Sequence, residues 1–477
     1  MRYLSMPQAI SQAAIFRASC LVALIASASL FAQTPPSASQ TFTLDQAIEY
    51  ALAHYPAVRA SLEQANAARA GISVARAQYL PSLSGVYQDS RATQNQVSGI
   101  WLPTAITPTV EGPVGAYTGQ SYWGSQAAAL FSWEPIDFGL RQSVVGQARS
   151  AVDKMNADMA VTRLQVASTV GNYFLSAVAA EQALMAAQAN VDRWQVFNKS
   201  VHTLVDSELR PGAEASRADA QLALAKTRLY QAQEAEQVAS ATLAALMGMA
   251  GAEIKLDSAR LLNPPPVDSL PNLAAANNPL ARDQMAIVKQ TEAQEKALSR
   301  TDYPRLFLQA EAFGRGSGVP NGGVIEGNAD GLALARGNWL AGITIAFPNV
   351  FDWKALGAEK QMAKANERSQ QAAYEKAVQD LTGQAQAALA QLKTAQLVAQ
   401  QTPIELAAAR ASEMQSRARY DASLATIVEV AEAEGLLAQA EFDDAVARLN
   451  LWRGLFGLAY AHGDLEPFLD ILRKPNP

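Results

Sequence analysis

"SYWGSQAAALFSW", Ser121 to Trp133, alternates with a period of two. Trp123, Ala127, Ala129, Phe131 and Trp133 fall on one face, and Tyr122, Gly124, Gln126, Leu130 and Ser132 on the other. A second stretch, "NWLAGITIAF", sets Trp339, Ala341, Ile343, Ile345 and Phe347 against Asn338, Gly342 and Thr344. Segments of about ten residues with aromatic ends and one apolar face fit transmembrane strands. The same alternation also fits a soluble hairpin packed on helices. Partner segments near Leu83 to Gln94 and Leu306 to Gly316 carry the pattern more weakly. If these four segments span a membrane, only a closed barrel satisfies their backbones. Closure takes about eight strands at least, so one chain is insufficient and three copies would supply twelve.

Working outward, the chain is written twice. "AHYPAVRASLEQ" (Ala53 to Gln64) recurs as "ANNPLARDQMAI" (Ala276 to Ile287), matching Pro56 with Pro279 and Arg59 with Arg282. Later prolines, Pro81 in "QYLPSL" and Pro304 in "DYPRLF", keep the same offset. "FSWEPIDFG" (Phe131 to Gly139) corresponds to "IAFPNVFDW" (Ile345 to Trp353), aligning Asp137 with Asp352. "AEASRADAQLA" (Ala213 to Ala223) corresponds to "SLATIVEVAEA" (Ser423 to Ala433), pairing Ser216 with Thr426 and Asp219 with Glu429. The reading is a tandem duplication: a leader at 1–32, a first repeat at 33–265 and a second at 266–477. Its seam lies in "NPPPVDSLPN", Asn263 to Asn272.

Each repeat has one order of elements. "TFTLDQ" opens a helix with Thr43 as N-cap and Gln46 as its capping-box partner. That helix runs to a break at Pro56 and on to about Gln78. Two extended segments follow, and then two long helical stretches joined near Pro211–Gly212 in one repeat and near Asp421–Ser423 in the other. No proline falls between Pro135 and Pro211. A helix filling that interval is about 100 Å long at ~1.5 Å per residue. Val144, Ala148, Val152, Met155 and Met159 recur at steps of three and four, and such helices pack as coiled coils.

Composition narrows the function. In 477 residues aromatics make up only 7%, which favours long helices over a large compact core. Arg2 and Arg17 precede the apolar run Cys20 to Ala32, which reads as an export leader, with an N-terminal anchor helix as the alternative. Removing it takes the net charge of −6 to about −8. No basic patch suits nucleic acid. Cys20 is the single cysteine and lies in the leader ahead of the apolar run, so lipid acylation, disulfides and thiol chemistry are not expected of the mature chain. His54, His202 and His462 are scattered, "GRGSG" (Gly314 to Gly318) leads into loop, and no G-x-S-x-G occurs. Neither enzyme nor cofactor is indicated.

This order of motifs resembles the TolC-like outer-membrane efflux proteins (outer-membrane factors) of Gram-negative efflux and type I secretion systems. "TLDQAIEYALAHYPAVRAS", "ARAQYLPSLS", "SWEPIDFG" and the two hairpin tips carry the resemblance, over essentially the whole mature chain. It implies a mainly α fold with membrane β: a homotrimer whose twelve-stranded β-barrel, four strands per chain, continues into a long coiled-coil α-helical barrel. It also implies a place in outer-membrane lipid reaching into the periplasm, and a passive exit duct. Its partners would be a periplasmic adaptor (membrane fusion protein) and an inner-membrane transporter. The rival class is a soluble periplasmic coiled-coil scaffold or adaptor.

The same resemblance assigns residues. It makes Glu429 and Glu432 carboxylates of a pore entrance and has Tyr420 bond Asp219 as a latch. It places Arg210, Gly212, Ser423 and Ala425 at adaptor-contacting tips. Ser423 stands where the family prefers Gly, Ala425 where some members carry Arg, and Gly212 one residue out of register. On a helix Glu429 and Glu432 share a face, and six such acids around an axis favour cations. The plainer readings are a solvated acidic face, a packing tyrosine, and an Asp219 that complements its helix N-terminus. Glu434, on another face, reads as solvated surface.

Overall fold

The structure, a computed structural model, describes residues 40–93, 121–265, 275–317, 329–348 and 353–473. The leader, Trp101 to Tyr117, Asp352 and most of the seam lie outside the described residues. A short strand β1 (Gln40–Phe42) leads into α1 (Leu44–His54). Thr43 and Gln46 close the capping box reciprocally, at 3.4 and 3.2 Å. Tyr55 leaves the helical region and Pro56 restarts it as α2 (Pro56–Ala77), where its missing N–H costs nothing. Strands β2 (Ser82–Thr93) and β3 (Ser121–Ile136) follow, then α3 (Leu140–Asp206) and α4 (Gly212–Leu246).

A strand β4 (Ile254–Leu256) pairs parallel with β1 and ties the end of this half to its start. The order then recurs: α5 (Pro279–Leu298), β5 (Arg305–Ser317), β6 (Arg336–Ala346), α6 (Trp353–Asp421) and α7 (Ile427–His462). A last helix, α8 (Glu466–Arg473), caps the chain. At 67 and 69 residues, α3 and α6 are each about 100 Å long. Among the described residues no helix is long and apolar enough to cross a membrane.

The four long strands form one antiparallel sheet in the order β2-β3-β5-β6, so both halves contribute to it. Register places Leu83 beside Phe131, Phe131 beside Ala310, and Leu308 beside Ile343. These residues share a face with Tyr87, Trp339 and Ile345, and that face is bare: Leu83 is 76%, Ile343 70% and Trp339 80% exposed. Gln88, Gln126, Gln309, Glu311 and Thr344 occupy the other face. Among the described residues no strand pairs with the outer edges of β2 and β6.

Helices continue the sheet in the same lateral order, α2-α3-α5-α6. Farther from the sheet, α3 pairs with α4, α6 with α7, and α3 with α7. The main core lies between these two zones, where Phe174, Leu243, Met247, Trp452, Phe456 and Phe468 are fully buried with Ile48 from α1. Phe468 meets Phe456 edge-on at 5.1 Å and Trp452 at 6.1 Å. Gly171 lets Phe456 approach: a Cβ there would stand 2.3 Å from the ring. Gly171→Ala should therefore cost about 1–3 kcal/mol by overpacking. Thermal unfolding of Gly171→Ala, Phe456→Leu and the double variant checks this, the double being less destabilised than the two singles summed.

Candidate functional site at the hairpin tips

Two turns reverse the long helices, and both are built alike. After α3, Glu208 takes a left-handed conformation (φ 61°), with Leu209 N–H bonded to the Leu204 carbonyl and Glu208 N–H to that of Val205. After α6, Ser423 does the same (φ 54°), with Leu424 bonded to Arg419 and Ser423 to Tyr420. These paired bonds satisfy the last carbonyls of each helix, and a glycine at Ser423 would relieve its strain. Pro211 and Thr426 are then the N-caps of α4 and α7.

That geometry corrects the tip alignment by five residues. Superposing the turns matches Pro211 with Thr426 and Glu214 with Glu429, so Asp219 falls at the position of Glu434, not Glu429. The signal lay in the sequence as Thr426-x-x-Glu429, a capping box, but alanine-rich flanks support several registers.

Tyr420 is 1% exposed, and its hydroxyl donates to Glu214 at 2.7 Å, not to Asp219. Arg210 lies over the Tyr420 ring at 4.5 Å, donates to the Tyr420 carbonyl at 2.7 Å and stands 3.6 Å from Glu214. The three residues fasten the first tip to the second within one chain. Burial, and then the Glu214 carboxylate, hold the phenol well above its usual value. Beneath them Phe197 packs edge-on against Tyr420 at 5.1 Å, with Trp194, Val201, Ala425, Ile427 and Val430.

Asp219 stays on its own hairpin, exposed, accepting from Asn198 at 2.8 Å and bonded to His202 at 2.9 Å. Those two hydrogen bonds, Asn198 first, lower its pKa. Glu429 accepts the Thr426 N–H at 3.2 Å and lies 3.5 Å from Arg419, so its carboxylate is engaged in its own turn. Glu432 is exposed and makes no ion pair among the described residues. Gly212 and Ser423 are exposed at the tips. Arg210 is tied into the clasp and Ala425 is 6% exposed in the core beneath it, so neither offers free surface.

Glu434 is not surface. It is 1% exposed and paired with Arg193 of α3 at 2.9 Å, and Arg193 also holds Glu441 at 3.0 Å. Glu413 and Arg417 of α6 complete the cluster, 3.7 Å apart. It joins both hairpins, and sequence reading missed it because the lateral contact of α3 with α7 has no local pattern. Burial pushes Glu434 up, the nearby arginines partly offset this, and Glu413 adds to the rise.

Residues 47–249 and 270–463 match the profile of a family described as outer membrane efflux protein. Protein CyaE of Bordetella pertussis is 30% identical over 223 residues, which is 45% of this chain and 42% of that protein. The chain thus matches less than half the length of this curated relative. Among solved structures, one of CusC, described in terms of folding and transmembrane channel formation, superposes with a TM-score of 0.72 at 16% identity. It covers 88% of this chain and 92% of that one. The outer membrane protein VceC of Vibrio cholerae gives 0.68 at 17%, over 88% and 96%. The open-state MtrE outer membrane channel of Neisseria gonorrhoeae gives 0.67 at 20%, over 88% and 89%. At such identities these likenesses speak for the fold.

Two outcomes test the tips. Tyr420→Phe removes a hydrogen bond to a carboxylate, about 1.5–3 kcal/mol, and should speed protease cleavage at the turns while the sheet stays protected. Because the folded-state pKa of Glu434 is raised, its contribution is fully present below the ordinary carboxylate pKa and is lost as pH rises through the raised one. Glu434→Gln should flatten the dependence of melting temperature on pH in that window. A slope identical to the parent protein's would assign the proton to another group of the cluster.

Proposed function

The chain belongs to the outer membrane efflux protein family, and from that premise we propose that it is an outer-membrane exit duct of an efflux or secretion system. One observation carries this reading: among the described residues, a four-stranded sheet with a bare apolar face and two open edges runs directly into helices. Such a sheet is incomplete alone. In hydrocarbon each unpaired backbone group costs several kcal/mol, and pairing β6 of one chain with β2 of the next removes both edges. Three chains give a twelve-stranded barrel, above the practical minimum.

The exposed apolar face argues against a soluble scaffold, since Trp339, Ile343 and Ile345 would stand in water. Trp339 near one end of β6, and Trp133 and Phe347 toward the other, suit the aromatic girdles of a membrane barrel. The helices extend from the barrel into the periplasm, and the halves 33–265 and 266–477 are two copies of one plan. Nothing covalent is asked of the duct: cargo diffuses through it, driven by an inner-membrane transporter, with a periplasmic adaptor docking on the tips. Gly212 and Ser423 are the exposed tip positions for that contact.

Glu432, exposed and without an ion pair among the described residues, is the stronger of the two candidate entrance acids, since Glu429 is paired with Arg419. Three copies of the tip focus negative potential on the axis. Fractionation should recover the protein as heat-modifiable trimers in outer membranes, and planar bilayers should record cation-selective channels. Glu432→Gln should reduce the selectivity more than Glu429→Gln does. Recovery solely in the soluble periplasm would overturn the duct.

A further inference from the structure

The junction of sheet and helices carries positive charge that its own chain leaves uncompensated. A cleft of about 680 Å³ opens there between α3 and α5, within the size range of small-ligand sites. Arg149 stands on its α3 wall, Lys289 and Lys296 on its α5 wall, and Arg300 just beyond the end of α5. None of the four has an ion-pair partner among the described residues. Glu292 is the acid on the same wall, so the cleft holds a surplus of three positive charges. Asp153 lies a turn farther from the sheet. Arg300 is steadied over the Tyr303 ring at 4.9 Å. Cations gathered in this way repel one another, and a bound anion relieves them.

Position and face decide which anion meets them. Phe138 and Gly139, at the rim of the cleft, follow directly on β3, and Arg300 stands five residues before β5. Arg149 lies about 15 Å farther along its helix. Exposed Ile136 and Phe138 mark the end of the apolar wall. The headgroup layer of a leaflet is about 5–8 Å deep, and long basic side chains reach up toward it. Val144, Ala148, Met155, Ile287 and Leu298, on the opposite sides of the two helices, are partly covered within one chain. Gln142, Arg149, Lys289 and Lys296 are exposed. A curved layer of helices crowds its side chains on the concave side and splays them on the convex one. The cleft therefore opens outward, below the lipid. Further copies join at α2 and α6, the ends of the lateral order, and leave the space between α3 and α5 open.

We propose that this cleft binds the phosphate-bearing headgroup of an anionic phospholipid from the leaflet facing the periplasm. The inference rests on the exit-duct reading, which sets the barrel in the membrane. Basic pockets at a membrane face take such headgroups. A headgroup held there bridges α3 of the first half and α5 of the second, and ties the halves together below the rim.

The test titrates full-length trimers in nonionic detergent with dioleoyl phosphatidylglycerol and counts bound lipid by native mass spectrometry. The parent should take phosphatidylglycerol in preference to phosphatidylcholine. Lys296→Gln with Arg300→Gln should weaken that binding about 30-fold, at about 1 kcal/mol for each cation. Arg149→Gln should weaken it about fivefold, and serves if the double variant does not assemble. Lys199→Gln with Arg228→Gln, a matched loss of charge at exposed residues of α3 and α4 far from the sheet, should leave it unchanged. Equal binding of the two lipids, or equal losses in the two double variants, overturns the proposal and leaves the duct standing. So does retention of inorganic phosphate by trimers that take up no lipid, which assigns the cleft to the free ion. Recovery of the protein solely from the soluble periplasm removes both readings.

Discussion

A strand edge in hydrocarbon has no water to satisfy it, and the rest of this molecule follows from that condition. Among the described residues the sheet β2-β3-β5-β6 ends in two unpaired edges, β2 and β6, of 12 and 11 residues. No rearrangement within one chain closes four strands on themselves. The fold therefore specifies its own multiplicity. The helices inherit the same lateral order because only a few residues of chain separate each strand from its helix. Asp137 shows how tight that connection is: it accepts from the Gly139 and Arg141 backbones at 3.0 and 2.7 Å, and its carboxylate also pairs with the Arg141 side chain. Strand and helix cannot tilt independently there.

At the far end the problem is the opposite one. The tips lie tens of ångströms from the main core and rely on a small cluster around Phe197 and Tyr420. Polar contacts hold one tip to the other there: the Arg210–Glu214–Tyr420 clasp, and Arg193 between Glu434 and Glu441. Buried ion pairs add little net stability compared with apolar packing, but breaking one leaves an uncompensated charge. A junction made this way is specific in register and weaker than the core.

The strands were legible because lipid on one side and a different environment on the other impose a period of two. Trp339, Ile343 and Ile345 announce it. The duplication was legible because Pro56 and Pro279 begin helices, a role few residues share. Thr43 and Gln46 marked a helix start for the same local reason. The partner of Tyr420 and the burial of Glu434 were not legible, since both depend on which face of α3 meets α7. In an alanine-rich helix many faces are equally plausible, and five residues of slip changed the apparent match of Asp219. Local chemistry was readable, and lateral register was not.

The pairing of β3 with β5 has a temporal side. These strands are adjacent in the sheet, yet all of α3, α4 and the seam lie between them in the chain. Loop-closure entropy grows only by about 0.6 kcal/mol per doubling of length, so the equilibrium tolerates this separation. Rate is another matter, because such non-local contacts form late. The local helical hairpins form first, leaving four amphipathic strands exposed until both halves exist and other chains arrive. Their bare faces are an aggregation hazard in that interval. Safe assembly then depends on how soon a nascent chain meets two others at the membrane.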